Sequence, residues 1–226
     1  MLAGPEGRHA ATVRRLSPGE RADVTDGAGM IAQCVVRSVR PGAVGLEVLT
    51  RGVEPAAEPR IAVIQAIPKG DRAELAVEIM TEVGVDGVVA WQAERCVARW
   101  RAERADRALA RWQATAREAA KQARRAWIPE VTGPAGTPAV ARRVAAARLA
   151  VLLDPEAPVA LGGLGMPDRG EIVVIVGPEG GVSPAEAAAL AQAGAVPARL
   201  GPTVLRSSSA GAVAAALALA GTARWA

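Results

Sequence analysis

The stretch Ile172-Val173-Val174-Ile175-Val176-Gly177-Pro178-Glu179-Gly180-Gly181-Val182-Ser183-Pro184-Ala185-Glu186 decides the fold. Its first five residues are all β-branched and apolar, which reads as a strand buried on both faces; a strand with one wet face would alternate. The glycines that follow let the backbone bend sharply and let N–H and C=O groups approach a flat ligand. Ser183 with Glu186 three residues on is a capping box, Pro184 suits the first helical position, and Gly194 supplies the far cap. Strand, glycine loop and capped helix in that order put a loop at the carboxyl end of a strand, the edge where open α/β sheets bind ligands.

The same alternation extends outward in both directions. Ile61 to Ile67 is a second buried run, Arg72 to Val83 has helical period and ends at Gly84, and Val85 to Trp91 is a third strand. The basic stretch Glu103 to Arg125 reads as a long helix closed by Pro129, and residues 134–147 as a loop with a short helix. Val151 to Leu153 and Ala198 to Leu200 supply further strands. The last of these precedes a second glycine loop, Leu200-Gly201-Pro202-Thr203-Val204-Leu205-Arg206, and an Ala-rich final helix. Alternation of this kind predicts an α/β domain with a parallel sheet and helices on both faces. Upstream of Arg60 the turn signals Ser17-Pro18-Gly19, Asp26-Gly27-Ala28-Gly29 and Arg40-Pro41-Gly42 separate short apolar runs, the spacing of a small β-barrel. Val53 to Pro59 reads as a linker.

Composition narrows the chemistry. The 226 residues contain no Phe or Tyr and five Trp, so the core must be aliphatic. His9 is the single histidine, which excludes a zinc site with several His ligands. Cys34 and Cys96 lack metal-ligand spacing and read as reduced structural thiols. Neither glycine loop is a Walker A or a Gly-x-Gly-x-x-Gly sequence, which argues against a triphosphate or dinucleotide. Between Glu94 and Arg125 ten basic residues stand against four acidic ones, in a chain whose whole net charge is +4. That run is either a solvated, salt-bridged helix face or a nucleic-acid footprint, and charge alone does not choose. No signal peptide opens the chain and the apolar run near Ala212 to Ala220 is too short to span a bilayer, so a soluble cytoplasmic protein is expected.

Several segments, taken in order, carry a resemblance. Ile175 to Ser183, then Leu200-Gly201 and Val204-Leu205-Arg206, resemble the cofactor-binding knot of the SPOUT methyltransferases. His9 with Val13-Arg14-Arg15-Leu16 and Pro18-Gly19-Glu20 agrees in order with one branch of them, the 16S ribosomal RNA uracil-N3 methyltransferases. So do Thr81-Glu82-Val83-Gly84-Val85, Glu94-Arg95-Cys96, and Glu118-Ala119 with Gln122, Arg125 and Pro129. The resemblance covers nearly the whole chain. It implies a PUA-like RNA-binding β-barrel over residues 1–57, its first strand absent or cut short. It further implies a SPOUT domain over residues 60–226 that ends in a deep trefoil knot, and a homodimer.

The implied reaction is methylation by S-adenosylmethionine of uridine N3 in 16S ribosomal RNA near the decoding site, with naked RNA or the assembled small subunit as partner and no metal. Two other readings stay open: a SPOUT enzyme acting on transfer RNA ribose or guanine, and a non-catalytic RNA-binding or ribosome-assembly factor. By position, the implied cofactor contacts are Leu153, Gly177, Pro178, Glu179, Gly180, Gly181, Leu200, Gly201, Val204, Leu205 and Arg206. Arg206 is the candidate electrostatic catalyst, or else pairs a carboxylate; Glu179 is a candidate base or orienter, or else caps its own loop. Implied RNA contacts are Arg8, His9, Arg14 and Arg15 in the barrel, with His9 equally readable as a packing residue. Arg95, Arg124 and Arg125 are placed beside the cofactor pocket. The chain departs from the family where Ser207-Ser208-Ser209-Ala210 replaces the usual Thr-Glu-Thr-Ala, leaving serines expected to cap the final helix. It also has Ile79 in place of a family lysine.

Overall fold

The computed structural model describes residues 1–70 and 72–225. The chain divides into two compact units, Met1–Ala56 and a second that begins at Ala57. In the first, a short helix α1 (Gly4–Arg8) runs into a π-helical turn, His9–Val13. Three antiparallel strands follow: β1 (Arg21–Thr25), β2 (Met30–Arg40) and β3 (Ala43–Val53). The turn signals fall where they were read. Asp26 Oδ1 accepts from the amides of Ala28 (2.7 Å) and Met30 (3.1 Å), and Gly42 takes φ +75° in the two-residue turn from β2 to β3. Ala10, Val36 and Val44 form a small core with Leu2, Ala11, Leu16 and Leu46 packed on it. The described residues make a three-stranded meander plus a Leu2–Val44 bridge rather than the small barrel expected, because the segment before β1 spends its residues on helix. Val53 belongs to β3, so the linker is shorter than read.

The second unit carries a six-stranded parallel sheet. Its strands are β4 (Arg60–Ala66), β5 (Gly87–Trp91), β6 (Glu130–Ala135), β7 (Leu149–Leu153), β8 (Glu171–Val176) and β9 (Val196–Ala198), in spatial order β6-β5-β4-β8-β7-β9. β4 after Arg60, β5 throughout and β8 after Glu171 are buried at every residue. Strands of that kind must be covered on both faces. One helix group, α2 (Arg72–Val83), α3 (Ala102–Gln122) and the last helix α6 (Ser207–Ala220), packs together, with α6 laid against β4 and β8. The other pairs α4 (Thr137–Ala146) with α5 (Pro184–Gln192). Small residues let α6 approach closely: a Cβ on Gly211 would stand 2.9 Å from Met80 Sδ and 3.2 Å from Gln65 Oε1.

The alternation read from sequence is present, with corrections at the margins. The third strand starts at Gly87 rather than Val85, and the last strand is Val196–Ala198 rather than 198–200. Residues 134–147, read as a loop with a short helix, supply the end of β6 and a ten-residue helix. The basic helix ends at Gln122, closed by Arg124 in the left-handed region (φ 54°), well before Pro129. Among the described residues no helix is long and apolar enough to cross a membrane.

Candidate active site

The carboxyl ends of β7, β8 and β9 open into one cleft of about 620 Å³. That lies inside the range of about 300–1,000 Å³ usual for small-molecule sites. Leu153 lines it at the end of β7. Gly177, Pro178, Glu179 and Gly181 line it after β8, and Leu200, Gly201, Val204, Leu205 and Arg206 after β9. Gly180 does not face the cleft but lies against Arg95, whose Nη1 donates to the Gly180 carbonyl at 3.3 Å. The glycines serve distinct ends. A Cβ on Gly177 would meet Val182 Cγ2 at 2.7 Å, Gly181 takes φ +74° to close the turn onto Pro178 O, and a Cβ on Gly201 would meet no atom within 4 Å. Gly201 therefore keeps free a part of the cleft that any side chain would fill.

Charge at the cleft is concentrated in a few side chains. Glu179 is exposed, and its Oε1 accepts from Ser207 Oγ at 3.2 Å and from the Lys69 amide at 3.4 Å. Arg206 is exposed at the N-cap of α6, and among the described residues its guanidinium has no hydrogen-bond or ion-pair partner. It therefore does not pair a carboxylate there. The serines do not cap α6: the helix begins at Ser207, one residue earlier than a serine cap requires, and no side chain caps it. Ser207 turns to Glu179 instead.

A buried carboxylate holds the loops in place. Glu186 completes the capping box of α5 with Ser183, and its Oε1 also accepts from the Glu94 amide (2.9 Å) and Thr137 Oγ1 (2.8 Å). Thr137 in turn accepts from Trp91 Nε1 at 3.2 Å. One side chain thus ties α5, the loop after β5 and α4 to the floor behind the Gly177–Gly181 turn. Glu186→Ala would leave buried donors unmatched and is expected to destabilise the protein by about 3 kcal/mol in urea unfolding, since each hydrogen bond to a charged group contributes about 1.5–3 kcal/mol. A loss under about 1 kcal/mol would mean that water replaces the carboxylate without cost. Nearby, burial pushes the Cys96 thiol up, with Glu179 and Glu186 adding to the shift against opposing backbone hydrogen bonds. Cys34 and Cys96 are both free and buried.

A family model for the RNA methyltransferase domain matches residues 56–219, and one for the RNA methyltransferase PUA domain matches residues 2–49. The chain is 47% identical over 229 aligned residues to the ribosomal RNA small subunit methyltransferase E of Mycobacterium bovis, covering 100% of this chain and 87% of that one. This chain belongs to the ribosomal RNA small subunit methyltransferase E family. Among solved structures it resembles a Legionella pneumophila methyltransferase in complex with the cofactor SAM, at 26% identity and a TM-score of 0.87, with 98% and 91% of the two chains covered. The Neisseria gonorrhoeae ribosomal RNA small subunit methyltransferase E bound to S-adenosyl methionine gives 26% identity and a TM-score of 0.82, with coverages of 94% and 87%.

The candidate RNA-contacting residues of this methyltransferase separate into three groups. Arg8, Arg14 and Arg15 are exposed around the π-helical turn of the first unit, with His9 half-buried among them. Arg95 abuts the glycine turn of the cleft. Arg124 and Arg125, expected beside the pocket, lie at the opposite rim of the sheet. Arg125 donates to the carbonyls of Thr81 (2.8 Å), in the last turn of α2, and Val85 (2.7 Å), and pairs with Asp86, both in the turn that leads into β5. The reason is geometric: α3 ends near the strand starts, whereas the cleft opens at the strand ends. The cleft also has walls that sequence reading passed over, including Arg72, Asp154 and Thr203. Asp154 follows β7 directly, so the strand-end rule that selected the other loops could have found it.

Proposed function

We propose that this methyltransferase transfers a methyl group from S-adenosylmethionine to N3 of a uridine in 16S ribosomal RNA near the decoding site, acting in the cytoplasm on the assembled small subunit. The observation that carries this reading is the cleft at the ends of β7, β8 and β9, with glycines on its walls and an unpaired guanidinium at its edge. The wall fits the cofactor: Leu153, Leu200 and Val204 offer apolar surface, Gly201 leaves room, and the loops present backbone groups of the kind that read adenine. Bound there, the cofactor supplies an electrophilic methyl on a sulfonium centre. Residues 1–57 serve as the RNA-gripping module and residues 60–226 as the methyltransferase domain.

The protein's own work is positioning and charge. Uridine N3 carries a proton with a pKa near that of a phenol, about 10, so the base must become anionic as the new bond forms. Arg206 offers a fork of N–H donors to the oxygen on which that charge gathers. Glu179 is the acceptor for the N3 proton: its Oε1 is held by Ser207 and Lys69, and Oε2 has no partner among the described residues. We further read the chain after β9 as threading a deep trefoil knot, as the resemblance of its glycine loops to the SPOUT cofactor-binding knot implies. Val213 and Leu217, exposed one turn apart on α6, support a homodimer.

The test is to incubate the protein with small subunits lacking base methylation and labelled S-adenosylmethionine, then identify the labelled nucleoside. Label in 3-methyluridine is expected. Label in another nucleoside moves the chain to a different acceptor, and cofactor binding without any label makes it an assembly factor.

A further inference from the structure

The strand order splits the cleft into two sides. The loops assigned to the cofactor follow β8, β7 and β9, whereas β4 lies on the other side of β8, and the segment after it reaches the same cleft through Arg72. Arg72 is exposed, and among the described residues its guanidinium has no hydrogen-bond or ion-pair partner. Helix stability does not explain it, because as the first residue of α2 it sets a cation against the positive end of the helix. Its neighbour Glu74 is engaged with Arg111 at 3.5 Å, and Glu179, which also lines the cleft, is held by the Lys69 amide and Ser207. An arginine with five free donors at the mouth, on the side of β8 away from β7 and β9, suits a group with paired anionic oxygens that enters beside the cofactor.

We propose that Arg72 grips a backbone phosphate of the RNA strand as the target nucleotide enters, while Arg206 faces the base. The assignment rests on the methyl-transfer reading above and adds a substrate-binding residue to it. A nucleotide lifted out of its stack exposes its flanking phosphates, and one arginine on the β4 side of β8 would fix how far the base penetrates. The carboxylate of the cofactor's methionyl end offers similar oxygens, so the test must separate the two.

The experiment compares the full chain with Arg72→Ala and Arg72→Lys in three measurements: equilibrium dialysis of labelled S-adenosylmethionine, anisotropy of a fluorescent single-stranded RNA over a salt series, and methyl transfer to small subunits. For Arg72→Ala the cofactor affinity should stay within about twofold, and RNA affinity should fall about tenfold. The slope of log affinity against log salt should become shallower by about 0.7, the signature of one lost single-strand phosphate contact. kcat/KM should fall chiefly through KM, and Arg72→Lys should restore the salt slope but not the full affinity. Weakened cofactor binding with an unchanged salt slope would hand Arg72 to the cofactor and overturn the proposal, as would no change in either. Because the salt slope is read without turnover, absence of 3-methyluridine with the unaltered protein would sink the reaction reading alone.

Discussion

Arg206→Ala is expected to lower kcat by about 10²- to 10³-fold, the usual cost of removing one preorganised donor from a developing oxyanion. The fold should not suffer. The side chain is exposed, makes no intramolecular bond among the described residues, and does not cap α6, so the thermal midpoint should stay within about 2 °C. Two further readouts distinguish a charge-stabilising role from a merely structural one. Arg206→Lys keeps the charge but loses the planar fork, so it should recover part of the rate. Raising the pH should help the alanine variant more than the unaltered protein, because solvent then supplies the uridine anion that the guanidinium no longer favours. If instead the variant loses cofactor affinity by the same factor as rate, Arg206 is only a wall of the cofactor site.

The second large effect lies at the far rim. Asp86 accepts from the Ile61 amide (2.9 Å), from Arg224 Nη1 (2.6 Å) and Nη2 (3.3 Å), and from Arg125 Nη2 (3.4 Å). The two guanidinium side chains and the carboxylate are each only 14–16% exposed. Asp86→Ala would strand two poorly hydrated cations, and breaking a buried pair in this way costs about 3–5 kcal/mol. For a chain of this length that corresponds to a fall of roughly 10 °C in the thermal midpoint. Activity of the folded fraction measured well below the midpoint should be retained, since the cleft opens at the other end of the strands. A loss under about 1 kcal/mol would show that the carbonyls of Thr81, Val85, Gly84 and Pro59 suffice to hold both arginines.

Local signals were legible and long-range ones were not. The Ser183–Glu186 capping box forms with both of its hydrogen bonds, and the strands at Ile61 and Ile172 lie where a largely apolar run and an unbroken β-branched run put them. β6 escaped because Gly133-Pro134 reads as a turn. Pro134 is tolerated because β6 is an edge strand, and Gly133 is required because a Cβ there would come 2.6 Å from Ala90 O. The opposite edge, β9, hides Pro197 in the same way. At the site, loops were found from the glycines they carry, but Arg72 looks like any solvated residue on an amphipathic helix. Only the pairing of β4 with β8 brings its end of α2 to the cleft, and no local pattern encodes that pairing. Arg125 was misplaced for the converse reason: it follows the exposed Arg124 at the end of a basic helix, while its partners come from the end of α2 and the turn before β5.

The aliphatic core has an optical consequence. With no tyrosine or phenylalanine, near-ultraviolet absorption and emission belong to tryptophan alone. Trp91 is fully buried and its indole N–H is wired through Thr137 to Glu186, behind the turn that faces the cleft. Trp100 and Trp112 stand edge to face, their centroids 5.1 Å apart, a fixed pair whose coupled transitions report on the packing of α3. The molecule thus carries its own chromophores, one buried behind the cleft and a pair at the long basic helix, with Trp127 and Trp225 the remaining contributors to a spectrum free of tyrosine and phenylalanine.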